Sequence, residues 1–122
     1  MNATSYVLLG VMSGTSLDGV DLAYVEFIKK DFWSYRILKS TTVPYSKIWV
    51  ERLEKAVALP AQALKLLDEE YTQYLGSIIR AFIDQKPAEQ LDAVASHGHT
   101  ILHRPEAGLT YQIGNLPQLA GL

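Results

Sequence analysis

The stretch GVMSGTSLDGVD, residues 10–21, combines small residues with hydroxyl and carboxylate side chains. A phosphate site needs backbone N–H groups directed at one point, small residues that allow close approach, and hydroxyl or metal-bound carboxylate groups around it. Gly14 and Gly19 permit positive φ and close approach. The other polar residues of the stretch are Thr15, Ser16, Asp18 and Asp21. We predict a phosphate-binding loop in which Asp18 or Asp21 holds a water on Mg²⁺.

The same stretch has a simpler interpretation. It is not a Walker A loop, because the lysine and the spacing are absent, and it is not a dinucleotide-binding fingerprint. A glycine-containing turn, whose Asp and Ser side chains bond to their own backbone, has a similar composition. Composition alone therefore leaves both a turn and a phosphate loop open.

A second group of chemically useful residues is the histidine cluster in ASHGHTILHRP, residues 95–105. If a strand continues through it, His97 and His99 face the same side and His103 follows by period, as in a three-imidazole metal site. Gly98 argues against a regular strand, and no carboxylate that would orient the imidazoles is evident nearby. Surface or substrate-contacting histidines are therefore the favoured interpretation.

Three strands are predicted around the first stretch. Apolar residues run through 6–12, a partly alternating pattern covers 20–28, and aromatic and β-branched residues occupy 32–43 before Pro44. Their short connections predict an antiparallel meander. The candidate phosphate loop joins the first two strands.

Two helices are predicted after the meander. Ser46 can cap a helix over residues 47–59, which Pro60 interrupts. A longer helix is predicted from Gln62 to about Gln85, before Pro87. Its apolar face consists of Leu64, Leu67, Tyr71, Leu75, Ile78 and Phe82.

The remaining segments predict a return to the sheet. Residues 91–98 read as a buried strand with its polar end at the carboxyl edge, where open α/β sheets bind ligands. Residues 109–115 predict another strand, and Asn115 is positioned to cap a helix from about Pro117. That helix is too short before Leu122 to be stable alone, so we expect a longer parent chain.

Composition narrows the class of protein. The 122 residues suit a single domain, and the net charge of −2 comes from 13 acidic and 11 scattered basic residues. The basic residues form no stripe of the kind that binds nucleic acid, so we expect no nucleic-acid partner. The absence of cysteine excludes disulfides, thiolate zinc sites and cysteine nucleophiles. The N-terminal stretch has no basic leader, and its apolar run is too short to span a bilayer. We therefore expect a soluble cytoplasmic protein without a membrane partner.

Three motifs together resemble one family. GVMSGTSLDGVD, then SHGHTILHRP at residues 96–105 and YQIGN at residues 111–115, resemble the N-terminal part of the anhydro-N-acetylmuramic acid kinases over essentially the whole chain. The resemblance implies an α/β, ribonuclease-H-like fold of the actin, Hsp70 and sugar kinase superfamily, with ATP bound between two lobes. Residues 1–122 are expected to form the first lobe, an incomplete one.

The resemblance also implies a reaction, that of a phosphotransferase with an alcohol acceptor. ATP phosphorylates O6 of the amino sugar 1,6-anhydro-N-acetylmuramic acid while water opens the anhydro bridge at C1. The product is N-acetylmuramic acid 6-phosphate, and the step belongs to peptidoglycan recycling. The implied cofactors are ATP and Mg²⁺.

Individual residues take their implied roles from the matching motifs. The family's ATP-phosphate hairpin corresponds to Gly14, Thr15, Ser16, Leu17, Asp18, Gly19, Val20 and Asp21. Asp18 is the candidate for ordering Mg²⁺ or its water. The family's His-Gly-Gln-Thr motif, on the sugar side of the cleft, corresponds to His97, Gly98, His99 and Thr100. His103 and Pro105 accompany that motif, and residues 112–115 match the segment that leads toward the catalytic strand.

Two departures from the family pattern affect these expectations. His99 replaces the usual glutamine, which introduces a side chain whose charge can vary and predicts altered sugar affinity or pH dependence. The family's catalytic Asp-Phe-Arg motif is absent from these 122 residues. Loss of a general base costs on the order of 10²–10⁴ in rate, so we expect the isolated chain to be inactive. The alternatives are a non-catalytic nucleotide- or sugar-binding module and a self-associating structural fragment, including a homodimer.

Overall fold

In a computed structural model, the protein is built on one mixed five-stranded β-sheet. The structure describes residues 4–14, 16–85 and 90–121, excluding the side chains of residues 103–105 and 109. The strands are β1 (Thr4–Ser13), β2 (Gly19–Lys29), β3 (Trp33–Pro44), β4 (Ala93–Arg104) and β5 (Leu109–Ile113). The helices are α1 (Lys47–Lys55) and α2 (Ala61–Asp84), and short 3₁₀ turns cover Ala56–Ala58, Pro105–Ala107 and Pro117–Gly121.

The strand order is β3-β2-β1-β4-β5, in which β1 and β4 are parallel and the other neighbouring pairs are antiparallel. The predicted meander of β1, β2 and β3 is confirmed. The predicted return of a strand to the sheet after two helices is confirmed, and this strand, β4, lies beside β1. The prediction that it is buried is wrong, because Ala93, Val94, Ala95 and His97 are exposed. This α/β arrangement is consistent with the first lobe of an actin-like sugar kinase fold.

The core lies between one face of the sheet and the helices. Alternate residues of the central strands are buried because one face of each strand packs against the helices; they are Val7, Leu9, Val11, Val20, Leu22 and Tyr24. Helix α2 contributes Leu67, Tyr71, Leu75, Ile78, Ile79 and Phe82. Its predicted apolar face is therefore largely confirmed. Within the described ranges, neither helix has both the length and the apolar character to cross a bilayer.

The local signals that begin the helices behave as expected. The Ser46 hydroxyl accepts a hydrogen bond from the Trp49 backbone N–H, which confirms the predicted cap of α1. The regular helix ends at Lys55 and tightens into a 3₁₀ turn, so it is shorter than predicted. Helix α2 begins directly after Pro60, one residue before the predicted start.

The opposite face of the sheet, which we call the open face, carries no helix in the described part of the chain. Large apolar side chains are exposed on it at Tyr6, Met12, Trp33, Tyr35 and Ile37. The rings of Tyr6 and Trp33 lie in contact, with centroids 6.3 Å apart. The open face therefore carries apolar surface at one end. At the other end, Met12 lies beside the polar groups described below.

The region after β5 differs from the prediction. Pro117–Gly121 forms a 3₁₀ turn instead of the start of an α-helix. The side chain of Asn115, which was predicted to cap that helix, donates from Nδ2 to the backbone carbonyl of His97 at 3.1 Å. The side chain ties the end of β5 to β4 instead.

Candidate functional site

The predicted phosphate loop is a tight connection between β1 and β2. The Leu17 N–H donates to the carbonyl of Gly14 at 3.2 Å. Leu17 has φ of +60°, a left-handed conformation that costs a non-glycine residue roughly 1–2 kcal/mol. Gly14 and Gly19 do not adopt the positive φ that glycine permits, and Leu17 takes the left-handed position in this turn.

Gly19 does provide the predicted close approach. A Cβ at this position would overlap the carbonyl oxygen of Val43 and would lie 2.8 Å from Cα of Pro44. The end of β3 therefore crosses directly against the end of the loop. The next residue, Tyr45, donates its backbone N–H to the carbonyl of Asp18 at 3.3 Å.

The polar side chains of the loop divide into exposed and engaged groups. Ser16 and Asp18 are exposed at the turn, and Gly14 is also exposed. Asp21 is also exposed, but it lies within β2, where its Oδ1 accepts a hydrogen bond from the Thr42 hydroxyl at 2.5 Å. Asp18 is thus the better placed of the two candidate carboxylates to reach a solvent-borne ligand. Val20 is buried in the core, and Thr15 lies outside the described residues.

His97 and His99 of β4 lie on opposite faces of the sheet. Val11 pairs with Ser96 and Ser13 pairs with His99, so two steps along β1 oppose three along β4. This is a β-bulge, and Gly98 within it has φ of +76°. The prediction that His97 and His99 face the same side is wrong, because the extra residue reverses the alternation. The irregularity predicted from Gly98 is confirmed.

His97 belongs to a polar group on the open face. It borders a shallow groove of about 710 Å³ that also reaches Met12, Asp21 and Thr42. The amide nitrogen of Gln112 in β5 lies 3.5 Å from His97 Nε2 and donates to the Thr100 hydroxyl at 3.2 Å. The structure therefore brings together His97 and Thr100 through Gln112.

His99 is buried on the opposite face, under α2, with 3% of its surface exposed. Its Nδ1 lies 2.8 Å from the Ser13 hydroxyl, which is 2.6 Å from the Tyr45 hydroxyl. The Tyr45 hydroxyl is in turn 2.5 Å from that of Tyr71. We call these four side chains the buried hydroxyl chain. Burial lowers the pKa of His99, which favours the neutral imidazole within it.

A separate buried contact fixes the bulge from the helix side. Asp68 of α2 is buried and accepts hydrogen bonds from the Gly114 N–H at 2.8 Å and from the Thr72 hydroxyl at 3.4 Å. Gly114 has φ of +89° at the turn that follows β5. Since Asn115 bonds to His97, α2, β5 and the bulge form one connected unit.

Several functional residues were not anticipated from the sequence. Ser13 lies in the first motif but has no predicted role, Tyr45 and Asp68 belong to no motif, and Gln112 is matched only to the segment that leads toward the catalytic strand. Gln112 could have been found by pairing β4 with β5 as a hairpin, which sets it opposite Thr100. The side chains of His103 and Pro105 lie outside the described residues. No three His, Asp or Glu side chains gather as a metal site in the portions that the structure describes.

The burial of His99 predicts a pH-dependent stability. Its folded-state pKa lies below the ordinary value of 6.5, so the unfolded chain binds the proton more readily. The contribution to stability is complete above about pH 6.5 and is lost as the pH falls toward the folded-state pKa. Urea unfolding between about pH 7.5 and pH 5 should show a smaller decrease in His99→Gln than in the wild type.

The matched control is His97→Gln, the same substitution at an exposed histidine two residues away. It should retain the wild-type pH dependence of stability. If His99→Gln shows the full wild-type decrease, then protonation of His99 does not contribute to it.

Comparisons with known proteins agree on one family. The chain matches the sequence model described as anhydro-N-acetylmuramic acid kinase over residues 6–122. Proteins of that name from Bradyrhizobium diazoefficiens, Gluconobacter oxydans and Rhizobium etli are 37%, 38% and 32% identical to it. These alignments cover 92%, 93% and 92% of the chain and 33% of each relative. The chain thus spans about one third of the length of these curated relatives.

Proposed function

Since the chain belongs to the anhydro-N-acetylmuramic acid kinase family, we propose that it is the N-terminal lobe of a kinase that phosphorylates 1,6-anhydro-N-acetylmuramic acid with ATP. Water attacks C1, the bond from C1 to O6 breaks, and O6 receives the γ-phosphoryl group. The products are ADP and N-acetylmuramic acid 6-phosphate. Under this proposal the reaction takes place in the cytoplasm, as a step of peptidoglycan recycling.

The observation that carries the proposal is the β1–β2 loop, which lies within the family match. Gly14, Ser16 and Asp18 are exposed at a turn whose end is fixed against β3. The small residues Gly14 and Ser16 allow phosphate oxygens to approach the backbone closely, although the Leu17 N–H is already bonded to the Gly14 carbonyl. The loop sequence contains neither lysine nor arginine, so the triphosphate charge must be balanced by backbone dipoles and a cation. Mg²⁺, held through water by Asp18, would supply that positive charge.

The polar group on the open face is suited to bind the second substrate, the amino sugar. The Gln112 amide lies within hydrogen-bonding distance of both the His97 imidazole and the Thr100 hydroxyl. These groups donate and accept hydrogen bonds, as recognition of sugar hydroxyls and an acetamido group requires. The neighbouring groove provides an apolar surface at Met12 for the carbon skeleton of a sugar ring. We propose that this group contacts the amino sugar.

Titration of Mg·ATP into the ¹⁵N-labelled chain tests the nucleotide site. Amide chemical shifts should change at Gly14 and over residues 16–21. Asp18→Asn should weaken Mg·ATP binding roughly tenfold, the scale of one lost charge-assisted contact. Removing Mg²⁺ with EDTA should weaken binding to the wild type and reduce the difference between the two proteins.

The control for this experiment is Asp31→Asn, which removes the same charge from an exposed turn between β2 and β3. It should bind Mg·ATP like the wild type. A second titration with the anhydro sugar should shift the amides of His97 and Thr100. Shifts confined to other surfaces, or none at millimolar Mg·ATP, would contradict the assignment of the loop.

A further inference from the structure

One residue contacts both ends of the phosphate loop. Tyr45 follows β3 directly, and its backbone N–H donates to the carbonyl of Asp18, the last loop residue, at 3.3 Å. Its hydroxyl lies 2.6 Å from that of Ser13, the residue that precedes Gly14. Both Tyr45 and Ser13 are buried, so these contacts are shielded from solvent. The two ends of the loop are therefore connected through a single side chain and its own backbone.

The position of the Tyr45 hydroxyl is itself determined by neighbours. Tyr71, fully buried in the middle of α2, lies 2.5 Å from it, and His99 holds the Ser13 hydroxyl from the other side. Buried hydroxyl groups that lose a partner are costly, because they cannot turn to water instead. The buried hydroxyl chain thus restrains Tyr45 and Ser13 to one mutual geometry.

Aromatic packing holds the Tyr45 ring in place independently of the hydrogen bonds made by its hydroxyl. The ring stacks on Tyr74 with centroids 6.0 Å apart and contacts Tyr71 at 6.4 Å. Trp49 of α1 packs against both of these partners, at 5.6 Å from Tyr71 and 4.8 Å from Tyr74. A phenylalanine at position 45 would retain this packing and lose only the hydrogen bonds.

We propose that Tyr45 is a positioning residue for the phosphate loop, acting through its contacts with Ser13 and Asp18. Only the identity of the loop's ligand rests on the proposed function, because the restraint on the loop is a property of this fold. Under the proposed function, a loop without lysine would hold phosphate through the alignment of its N–H groups and through a cation held by Asp18. Such a loop depends strongly on how its ends are fixed.

Hydrogen exchange of individual amides tests the proposal in the Tyr45→Phe variant. The reporters are the amide protons of Leu17 and residue 45, which are bonded to the loop carbonyls of Gly14 and Asp18. Their exchange should become roughly five- to tenfold faster, as expected when a net hydrogen bond of about 1 kcal/mol is lost locally. Amides in the centre of β1 should exchange at the wild-type rate.

The matched control is Tyr74→Phe. It removes a phenol hydroxyl from the same aromatic group, but that hydroxyl is not part of the buried hydroxyl chain. It should leave the two reporter amides unchanged. If Tyr45→Phe does not fold, Ser13→Ala removes the same hydrogen bond from the other side and should give the same selective acceleration.

Two results would overturn the proposal. One is unchanged exchange at the reporter amides, and the other is an equal acceleration throughout β1, β2 and α2, which indicates a general loss of stability. The Mg·ATP titration separates this inference from the proposed function. A wild-type loop without Mg·ATP shifts, together with selective acceleration in Tyr45→Phe, contradicts the nucleotide assignment and supports the positioning role.

Discussion

Replacing Gly98 by alanine should lower the free energy of unfolding by about 2–5 kcal/mol. Two costs combine at this position. The left-handed φ of +76° costs a residue with a Cβ roughly 1–2 kcal/mol. The new methyl group would also overlap the carbonyl oxygen of Ile113 and lie 2.8 Å from the side-chain amide of Asn115. Overpacking against backbone adds roughly 1–3 kcal/mol, because the neighbouring strand must move.

Gly108→Ala separates these two costs. Gly108 also has a left-handed φ, +65°, but a Cβ there would meet no atom within 4 Å. It should therefore show only the conformational cost of roughly 1–2 kcal/mol. Urea unfolding followed by circular dichroism measures both variants. Equal losses in the two proteins would show that the contact with Ile113 relaxes without cost and that the bulge is not tightly packed.

The elements of the fold could be predicted because their signals are local. Hydrophobic periodicity identified the helix now seen as Ala61–Asp84, and Ser46 marked the start of the helix before it. The strands of the meander were marked by apolar and β-branched runs with short connections. Each of these signals depends on residues close together in the chain, so a single sequence contains them.

The candidate site could be predicted only in part. The position of the connection between β1 and β2 was predicted from the sequence, and its role in binding phosphate stays a prediction. The faces of His97 and His99 were not predicted correctly, because the bulge depends on how β4 pairs with β1, two strands far apart in sequence. The hydrogen bond between Ser13 and His99 joins positions 86 residues apart. No local pattern could have assigned Tyr45 to the buried hydroxyl chain that contains Ser13 and His99.

Gly19→Ala should have the second large effect, a loss of roughly 1–3 kcal/mol in the free energy of unfolding. Its φ is not left-handed, so the cost is purely steric. The added Cβ would overlap the carbonyl of Val43 and lie 2.8 Å from Cα of Pro44, and both are backbone atoms that cannot rotate away. The end of β3 would have to move off the loop, and Tyr45 with it. Mg·ATP shifts in residues 14–18 should weaken in parallel.

Gly10→Ala is the control for this prediction, because it makes the same change in a neighbouring strand with open space around it. The nearest atom to its Cβ would be the carbonyl oxygen of Ala23, at 4.0 Å. It should be neutral or slightly stabilising, since alanine loses less backbone entropy on folding. Urea unfolding measures both variants, and a Gly19→Ala protein as stable as Gly10→Ala would show that β3 can move freely. The contacts of Tyr45 with Ser13 and Asp18 could not then fix the loop, so the same result would weaken the positioning role argued for Tyr45.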